Sequence, residues 1–377
     1  MKAVISSYAR SPFHFAKKGS LATLRPDTLG AAVVKGLLAR NELDPALLED
    51  VILGCAYPEA AQGNNLARIV GLLAGLPHAV PGMTVNRFCG SSMQAVHIAA
   101  AQIEAGMGEA FLCVGIESMT MVPQGGFNFS PNPTLRDRSD AYISMGETAE
   151  NVAQRWNVSR ADQEQLAVDS HRKAAEAREQ GRLRDEIVAI TTDDGTVVDA
   201  DGCIRPTTTR EALAGLKPAF RPDGVVTAGT SSPLTDGAAA VLVVSDAFAA
   251  RHRLPMLARI KSFASVGVDP AVMGIGPIPA TRRALVRAGL TVTDLDVVEI
   301  NEAFSSQALA CIRELGLNPA TVNLDGGGLA IGHPLGATGA RITGKAASLL
   351  VREQGRYALA TQCIGGGQGI ATVLERA

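Results

Sequence analysis

Cys89 is the side chain in this sequence whose type and setting best suit covalent chemistry. It lies within residues 85–93, between an apolar strand-like segment and a helix predicted to begin at Ser91. Peptide N–H groups at the start of a helix stabilise a thiolate, and the small neighbour Gly90 leaves room for a substrate. The segment therefore predicts a nucleophile, and a small buried hydrophobic cysteine is the alternative.

A glycine-rich segment near the C-terminus carries a candidate base, His333. Six glycines fall within residues 326–339, and this density suits irregular backbone close to a ligand. A histidine in such a loop can take a proton from a thiol, and a solvated loop histidine is the alternative. A phosphate-binding turn is a further alternative, but the glycine spacing of dinucleotide sites and a Walker lysine are both missing from the segment.

Two strand ends carry further candidate groups. Cys363 precedes three glycines that begin at Gly365, and backbone N–H groups freed by such a turn can line an oxyanion hole. A hairpin with a passive cysteine is the alternative there. Asn301 lies at a predicted strand-to-helix junction, where its amide could orient water or a substrate carbonyl, or could cap the helix. The four segments together predict a nucleophile, a base, a second thiol and a polar orienting group.

Alternating strands and helices must position these residues in the first and last parts of the chain. Residues 1–118 and 249–377 both show this alternation, which favours an α/β layered domain with mostly parallel strands. The predicted helices lie at 28–40, 64–74, 91–105, 280–288, 302–315 and 338–354. The predicted strands lie at 48–55, 82–86, 109–115, 257–264, 296–301, 357–364 and 368–374.

The chain between these parts differs in composition and in its pattern of predicted elements. Residues 119–248 open with prolines and glycines, continue as a densely charged helical stretch at 141–180, and then contain several turns. Apolar stripes on the helical stretch predict a domain packed on the surface rather than a free linker. The two outer parts also share a strand that contains a cysteine, at 111–115 and 360–365, which suggests two similar halves facing one another.

Composition excludes several classes of protein. The 35 Lys and Arg nearly balance the 37 Asp and Glu, for a net charge of −2, and aromatic residues are 4%. Neither a basic nucleic-acid surface nor a base-stacking platform is expected. No apolar run approaches 18 residues and the N-terminus resembles a strand, so we expect a cytoplasmic chain without a membrane span. Six cysteines without zinc-site spacing predict free thiols and no metal.

These segments closely resemble motifs of the thiolase family. The similar segments follow the family's order and run over essentially the whole chain: 86–95, 115–119, 266–270, 301–304, 332–336 and 363–367. The resemblance implies a thiolase fold, with two α/β halves in five-layered α-β-α-β-α packing and a loop domain inserted in the first half. That implied architecture agrees with the division of the chain at 119–248.

The resemblance also implies an activity and a division of labour. A 3-ketoacyl-CoA would be cleaved by CoA, or formed in the reverse Claisen condensation, through an acyl group on Cys89. His333 would activate that sulfur, and Cys363 would protonate the departing acetyl-CoA carbanion and later deprotonate CoA. His333 with a water held by Asn301 would form one oxyanion hole. The N–H groups of Cys89 and Gly365 would form the other.

Further implications of the resemblance concern the substrate and partners. CoA would lie against the loop domain, with no additional cofactor, and its predicted contacts are Arg205, Phe220, Ala228, Ser232, Ala303 and Phe304. Arg205 suits the nucleotide end, because guanidinium binds phosphate and stacks on rings, although a solvated arginine is the alternative. Family members are homodimers or homotetramers, and some pair with a multifunctional β-oxidation partner.

Two departures favour the degradative type of thiolase, 3-ketoacyl-CoA thiolase or acetyl-CoA C-acyltransferase. Many acetoacetyl-CoA-forming members have a histidine where this chain has Ser144, and Cys89 is followed by Gly-Ser-Ser as in degradative members. A biosynthetic acetoacetyl-CoA thiolase is the alternative within the family. Decarboxylating ketoacyl synthases lack the second cysteine, and an inactive lipid-binding relative or a structural zinc protein are the remaining alternatives.

Overall fold

Strands of one large mixed sheet form the framework of the protein. The computed structural model describes all 377 residues. Ten strands form the large sheet, and β6 and β7 form a separate hairpin. The strands are β1 Ala3–Arg10, β2 His14–Phe15, β3 Asp50–Gly54, β4 Gly82–Val85, β5 Ala110–Ser118, β6 Ile190–Thr191, β7 Val197–Val198, β8 Thr235–Ser245, β9 Ala258–Gly267, β10 Val297–Ile300, β11 Tyr357–Ile364 and β12 Gln368–Arg376.

Twelve α-helices accompany the strands, and none of them is long and apolar enough to cross a membrane. They are α1 Pro26–Ala39, α2 Leu66–Leu73, α3 Ser91–Glu104, α4 Pro133–Arg136, α5 Met145–Arg155, α6 Arg160–Glu179, α7 Arg210–Ala214, α8 Asp246–His252, α9 Pro277–Ala288, α10 Ser305–Leu315, α11 Gly328–Ile331 and α12 Leu335–Arg352.

The sheet has two halves with the same internal order. One half runs β3-β5-β8-β1 and the other runs β10-β11-β12-β9. In each half the first pair is parallel and the later pairs are antiparallel, so the expectation of mostly parallel strands is wrong. The halves meet where β1 and β9 pair at Val4–Arg259 and Ile5–Ala258. This correspondence confirms the two similar halves, and β5 and β11, the strands with Cys113 and Cys363, occupy equivalent places.

Helices divide the two halves into five layers. Helices α3 and α12 pack between the halves, where Val96 and Ile342 belong to one buried apolar cluster. The outer face of the first half is covered by α1 and α2, and the outer face of the second by α9 and α10. Apolar residues face both sides of the central helices because those helices are buried all round. The predicted α-β-α-β-α packing is therefore confirmed.

The two central helices approach each other at their N-terminal turns through glycine. A Cβ on Gly339 of α12 would lie 2.3 Å from the backbone nitrogen of Met93 in α3. Ser92 of α3 accepts a hydrogen bond from the N–H of Ala340 at 2.8 Å. Only glycine permits this separation, since any larger residue would overlap with backbone atoms that cannot move aside. The chain segments that precede the two helices consequently lie side by side.

The inserted segment is shorter than predicted and its helical part is divided. Strand β8 pairs with both β1 and β5 in the large sheet, so the segment outside the sheet ends before Thr235 rather than at 248. The predicted helical stretch 141–180 is two helices, α5 and α6, capped by Ser144 and Ser159. Asn157 between them has a φ of 52°, a left-handed conformation that interrupts a helix.

A buried ion network fixes the insertion to the core. Arg10 of β1 binds Asp201 at 2.7 Å and Glu186 at 2.8 Å, and Lys345 of α12 binds Glu186 at 2.9 Å and Asp325 at 2.7 Å. Burial alone would raise the pKa of Glu186, but Lys345 and Arg10 overcome this effect and hold it below its usual value. The insertion is thereby joined to the first strand and to the helix behind His333.

Substituting Gly339 tests the close approach of α3 and α12. Gly339→Ala should lower the free energy of unfolding by about 1–3 kcal/mol, because the added methyl group overlaps with the Met93 backbone. Gly71→Ala in α2 is the matched control, since its nearest atom would be 3.5 Å away and alanine favours a helix. Denaturant unfolding measures both changes. A Gly339→Ala variant with the same free energy of unfolding as the wild type would contradict the packing described.

Glu186→Gln tests the ion network and its pH dependence. At pH 7 it should cost about 3–5 kcal/mol, because Arg10 and Lys345 lose a buried carboxylate. A folded-state pKa below the usual 4.5 means that this stabilisation is present above that pH and is lost as the pH falls through the folded pKa. Unfolding at pH 7 and pH 4 should therefore show a smaller difference at pH 4. The control Glu179→Gln, at an exposed position, should change the free energy of unfolding little at either pH. An equal loss of stability in Glu186→Gln at both pH values would contradict the role of the Glu186 carboxylate in the ion network.

Candidate active site

Cys89 lies in a strained turn between β4 and α3, as the sequence predicts. Phe88 before it has a φ of 42°, and left-handed backbone in a bulky residue marks stored strain. The turn is held by the N–H of Phe88 donating to Asn86 at 2.8 Å and by Ser91, whose hydroxyl donates to the Phe88 carbonyl at 2.6 Å. The side-chain amide of Gln362 donates to the carbonyl of Cys89. These bonds present the sulfur at one fixed position.

The electrostatics of Cys89 differ from the sequence expectation. The N–H groups of Gly365 and of Cys89 itself bond the sulfur and lower its pKa. Burial has the larger effect, Glu117 adds to it, and together they raise the pKa of Cys89 to about 12. The expected stabilised thiolate is therefore wrong for the resting protein. The sulfur is a neutral thiol that faces two N–H donors, which suits an oxygen or sulfur that gains negative charge during a reaction.

His333 lies in the turn that leads into α12. Gly332 before it has a φ of 112°, a conformation that favours glycine, and Thr235 accepts a hydrogen bond from the His333 N–H at 2.9 Å. The ring is buried, its Nδ1 lies 2.6 Å from the Thr338 hydroxyl, and its Nε2 has no partner in the protein. Burial and the charge of Arg341 lower its pKa to about 3, so the ring is neutral.

Asn301 and Cys363 lie at the ends of neighbouring strands. Strands β10 and β11 are parallel, and the N–H of Asn301 donates to Thr361 at 3.0 Å. The N-cap alternative for Asn301 is wrong, because α10 begins at Ser305 and both amide atoms of Asn301 are buried without a partner. Burial, and then the nearby Cys89, raise the pKa of Cys363 well above its usual value. Cys363 is therefore also a neutral thiol.

Glu117 is a buried carboxylate that the sequence analysis did not select. It accepts hydrogen bonds from the N–H groups of Ala56 at 2.8 Å and Gly336 at 2.9 Å, and from Gln62 at 2.9 Å. These bonds fix the first turn of α12, whose preceding residue provides no side-chain cap. A charged residue in the otherwise apolar run of β5 was the available signal, because buried carboxylates need dedicated donors.

The insertion packs against the core beside Cys363 through apolar contacts. Phe220 packs edge-on against Phe304 with ring centroids 6.0 Å apart, and the N–H of Ser232 donates to Ala303 at 3.0 Å. A Cβ on Gly146 would meet the Phe220 ring at 2.0 Å, so glycine lets the ring lie on α5. Ala303, Phe304 and Cys363 belong to one apolar cluster. The structure thus brings four predicted CoA contacts together beside a candidate catalytic thiol.

The other two predicted contacts, Arg205 and Ala228, line a cleft. Phe15 and His171 line it too. The guanidinium of Arg205 lies 5.2 Å from the centre of the Phe15 ring, and Lys18 lies 4.9 Å from the same ring. His171 accepts a hydrogen bond from the Arg205 N–H at 3.1 Å. No spacing in the sequence could predict Phe15 or His171 here, since they come from distant segments. The structure also gathers no group of three side chains suited to a metal ion.

The raised pKa of Cys89 predicts how its alkylation depends on pH. A thiol with a pKa of about 12 is almost wholly protonated at pH 7, so the thiolate fraction should rise about tenfold per pH unit. The rate of iodoacetamide labelling of Cys89, followed by peptide mass spectrometry, should rise without a plateau from pH 6.5 to 9.5. The Cys89→Ser variant is the control, because any labelling that remains in it must occur at other cysteines. A plateau near neutral pH would instead indicate a thiolate–imidazolium pair.

Comparison with known proteins agrees with this geometry. The family described as Thiolase, N-terminal domain matches residues 3–247, and Thiolase, C-terminal domain matches residues 254–376. A protein of Saccharophagus degradans named 3-ketoacyl-CoA thiolase is 48% identical over 383 residues, 99% of this chain and 98% of the relative. A Bacillus subtilis protein with the same name is 46% identical over 387 residues, 99% of each chain. These matches show that the chain belongs to the thiolase family.

Proposed function

We propose that the protein is an acyltransferase that cleaves 3-ketoacyl-CoA with CoA to acetyl-CoA and a shortened acyl-CoA. The observation that carries this proposal is the set of groups around Cys89. They are a partly buried sulfur facing two N–H donors, a neutral histidine with a free Nε2, a buried amide without a partner, and a second thiol. Buried polar groups are usually paired, and the unpaired atoms of His333 and Asn301 are the polar groups that a reacting substrate would need in a family with this chemistry.

The first half-reaction moves the acyl group onto Cys89. The sulfur attacks the 3-keto carbon while its proton passes to Nε2 of His333. The developing oxyanions lie in two holes, one formed by the N–H groups of Cys89 and Gly365 and the other by His333 with a water held by Asn301. Each such donor is worth about 3–4 kcal/mol in the transition state. The bond between C2 and C3 then breaks, and the thiol proton of Cys363 passes to the acetyl-CoA carbanion. Acetyl-CoA leaves and an acyl-Cys89 thioester remains.

The second half-reaction returns the protein to its starting state. The Cys363 thiolate takes the proton from the thiol of incoming CoA, and the CoA sulfur attacks the acyl carbon. Collapse of the tetrahedral intermediate breaks the bond to Cys89, which regains its proton from His333. Neutral thiols are consistent with these steps, because the thiol of Cys89 gives its proton to His333 and the thiol of Cys363 gives its proton to the departing carbanion. Two half-reactions joined by a covalent intermediate give ping-pong kinetics.

The apolar cluster and the cleft at Arg205 support the binding mode that the sequence implies for CoA. The apolar walls at Phe220, Ala303 and Phe304 suit the pantetheine arm, which would reach Cys363 along the buried cluster. Arg205, with Ala228 and Phe15 beside it, suits the nucleotide end, because the guanidinium can bind phosphate from its position over the ring. The N–H of Ser232 donates to the carbonyl of Ala303, and this bond joins the insertion to the apolar cluster. No additional cofactor takes part in these steps.

The degradative direction is the better of two possibilities within the family. Ser144 stands where acetoacetyl-CoA-forming members have histidine, and here it caps α5 by accepting a hydrogen bond from Glu147 at 3.3 Å. The relatives that match over their full length carry the name 3-ketoacyl-CoA thiolase. A role in fatty-acid β-oxidation, in the cytoplasm and as a homodimer or homotetramer, follows from the same resemblance. A β-oxidation partner remains a further expectation.

Cleavage of a short and a long substrate tests the proposal. The protein should cleave both acetoacetyl-CoA and 3-ketohexadecanoyl-CoA in the presence of CoA, and Cys89→Ala should lower kcat by about 10⁴-fold or more. Cys113→Ala, at a buried position in β5, is the matched cysteine control and should retain most activity. Cleavage of acetoacetyl-CoA alone would favour the biosynthetic alternative. No cleavage by folded protein would contradict the catalytic assignment.

A further inference from the structure

The hydrogen bonds of one threonine settle which nitrogen of His333 carries the proton. Thr338 lies in the first turn of α12, and its Oγ1 is 2.6 Å from His333 Nδ1 and 3.1 Å from the carbonyl oxygen of Pro334. All of these groups are buried, and no further protein group bonds the ring. A neutral imidazole has one N–H and one bare nitrogen, so the partner of Nδ1 determines the state of Nε2.

The threonine hydroxyl has one hydrogen and two close partners. The carbonyl of Pro334 can only accept, so it takes the hydroxyl hydrogen, as threonines in helices commonly donate to the residue four before them. Oγ1 can then only accept from the ring, which places a hydrogen on Nδ1 of His333. The opposite arrangement would leave two oxygens facing each other at 3.1 Å. It would also leave a buried Nε2–H without an acceptor, and unpaired buried N–H groups are rare.

We propose that Thr338 is a positioning residue that holds His333 as the Nδ1–H tautomer, so that Nε2 presents its lone pair to the Cys89 thiol. This inference rests on the proposed function for its catalytic meaning, but the tautomer itself does not. With the hydrogen on Nε2, the ring could donate to a substrate oxygen but could not accept the thiol proton. The threonine is a neutral acceptor, so it fixes the tautomer without adding a negative charge that would favour imidazolium.

The same helix supplies a matched control position. Thr343 is buried in α12, and its hydroxyl donates a hydrogen bond to the Gly339 carbonyl at 2.7 Å. It forms no hydrogen bond with a histidine. Thr343→Val and Thr338→Val therefore remove the same kind of helix hydrogen bond with the same change of shape. Thr338→Ser keeps the hydroxyl and is the rescue variant. A general effect of losing a helix hydroxyl should appear equally in both valine variants.

Steady-state kinetics test the catalytic part. Thr338→Val should lower kcat for acetoacetyl-CoA cleavage by about 10- to 100-fold, the usual range for an outer group that orients a reacting one. KM should change little, because Thr338 lies neither in the cleft at Arg205 nor in the apolar cluster proposed to bind CoA. Thr338→Ser and Thr343→Val should remain close to wild type. Equal activity of Thr338→Val and Thr338→Ser, or an equal loss in Thr343→Val, would overturn the proposal.

Nitrogen NMR of ¹⁵N-histidine-labelled full-length protein tests the tautomer without reference to activity. The wild-type ring of His333, identified by its loss in His333→Gln, should show a protonated Nδ1 and a bare Nε2. Thr338→Val should shift the ring toward the other tautomer, and Thr338→Ser should not. A wild-type ring protonated on Nε2 would overturn the proposal. If His333→Gln kept full activity while the Nδ1–H tautomer was present, the proposed function would fail and the hydrogen-bond assignment would stand.

Discussion

The approach of α3 and α12 through Gly339 is the constraint on which the site depends. Each half of the protein contributes one helix to the central layer, and each helix follows a turn that carries a candidate catalytic side chain. Because a Cβ at Gly339 would overlap with Met93, glycine there sets how close the two turns can come. Ser92 bonds α12 across this contact. The proposed nucleophile of one half and the proposed base of the other thereby precede two helices whose packing neither half provides alone.

Buried carboxylates then fix the turns that the helices bring together. Glu117 bonds the start of α12 to the 55–57 turn, and Glu302 binds Ser170 at 2.6 Å and Asn323 at 2.7 Å. The N–H of Leu329 also donates to Glu302, so the glycine-rich loop is joined both to the insertion and to the core. Fully bonded buried networks favour one arrangement over others. The flexible composition of this loop is therefore compatible with a fixed position for His333.

Local patterns predicted much of the fold and the site. Cys89 could be placed at a strand-to-helix turn because the change from apolar strand to helix is visible within nine residues of sequence, and the repeated order of elements predicted two halves. The boundary at 248 was wrong because β8 returns to the sheet inside a stretch that has no distinct composition. The pattern predicted one helical stretch at 141–180 where the structure has two helices, because the left-handed conformation of Asn157 does not alter the spacing of apolar residues. The N-cap alternative for Asn301 failed because α10 begins three residues after Glu302.

The pKa of the Cys89 thiol could not be predicted from the sequence because it depends on burial. The pKa of Cys89 is raised rather than lowered because the protein around the sulfur outweighs two N–H donors, and no local pattern reports that balance. The most direct test is rapid-quench mass spectrometry of protein mixed with acetyl-CoA. We expect an acetyl group on Cys89 within the first turnover, formed much more slowly in His333→Gln with the fold intact. An adduct on another residue, or an equal rate in His333→Gln, would contradict the assignment of Cys89 and His333 as a neutral nucleophile–base pair.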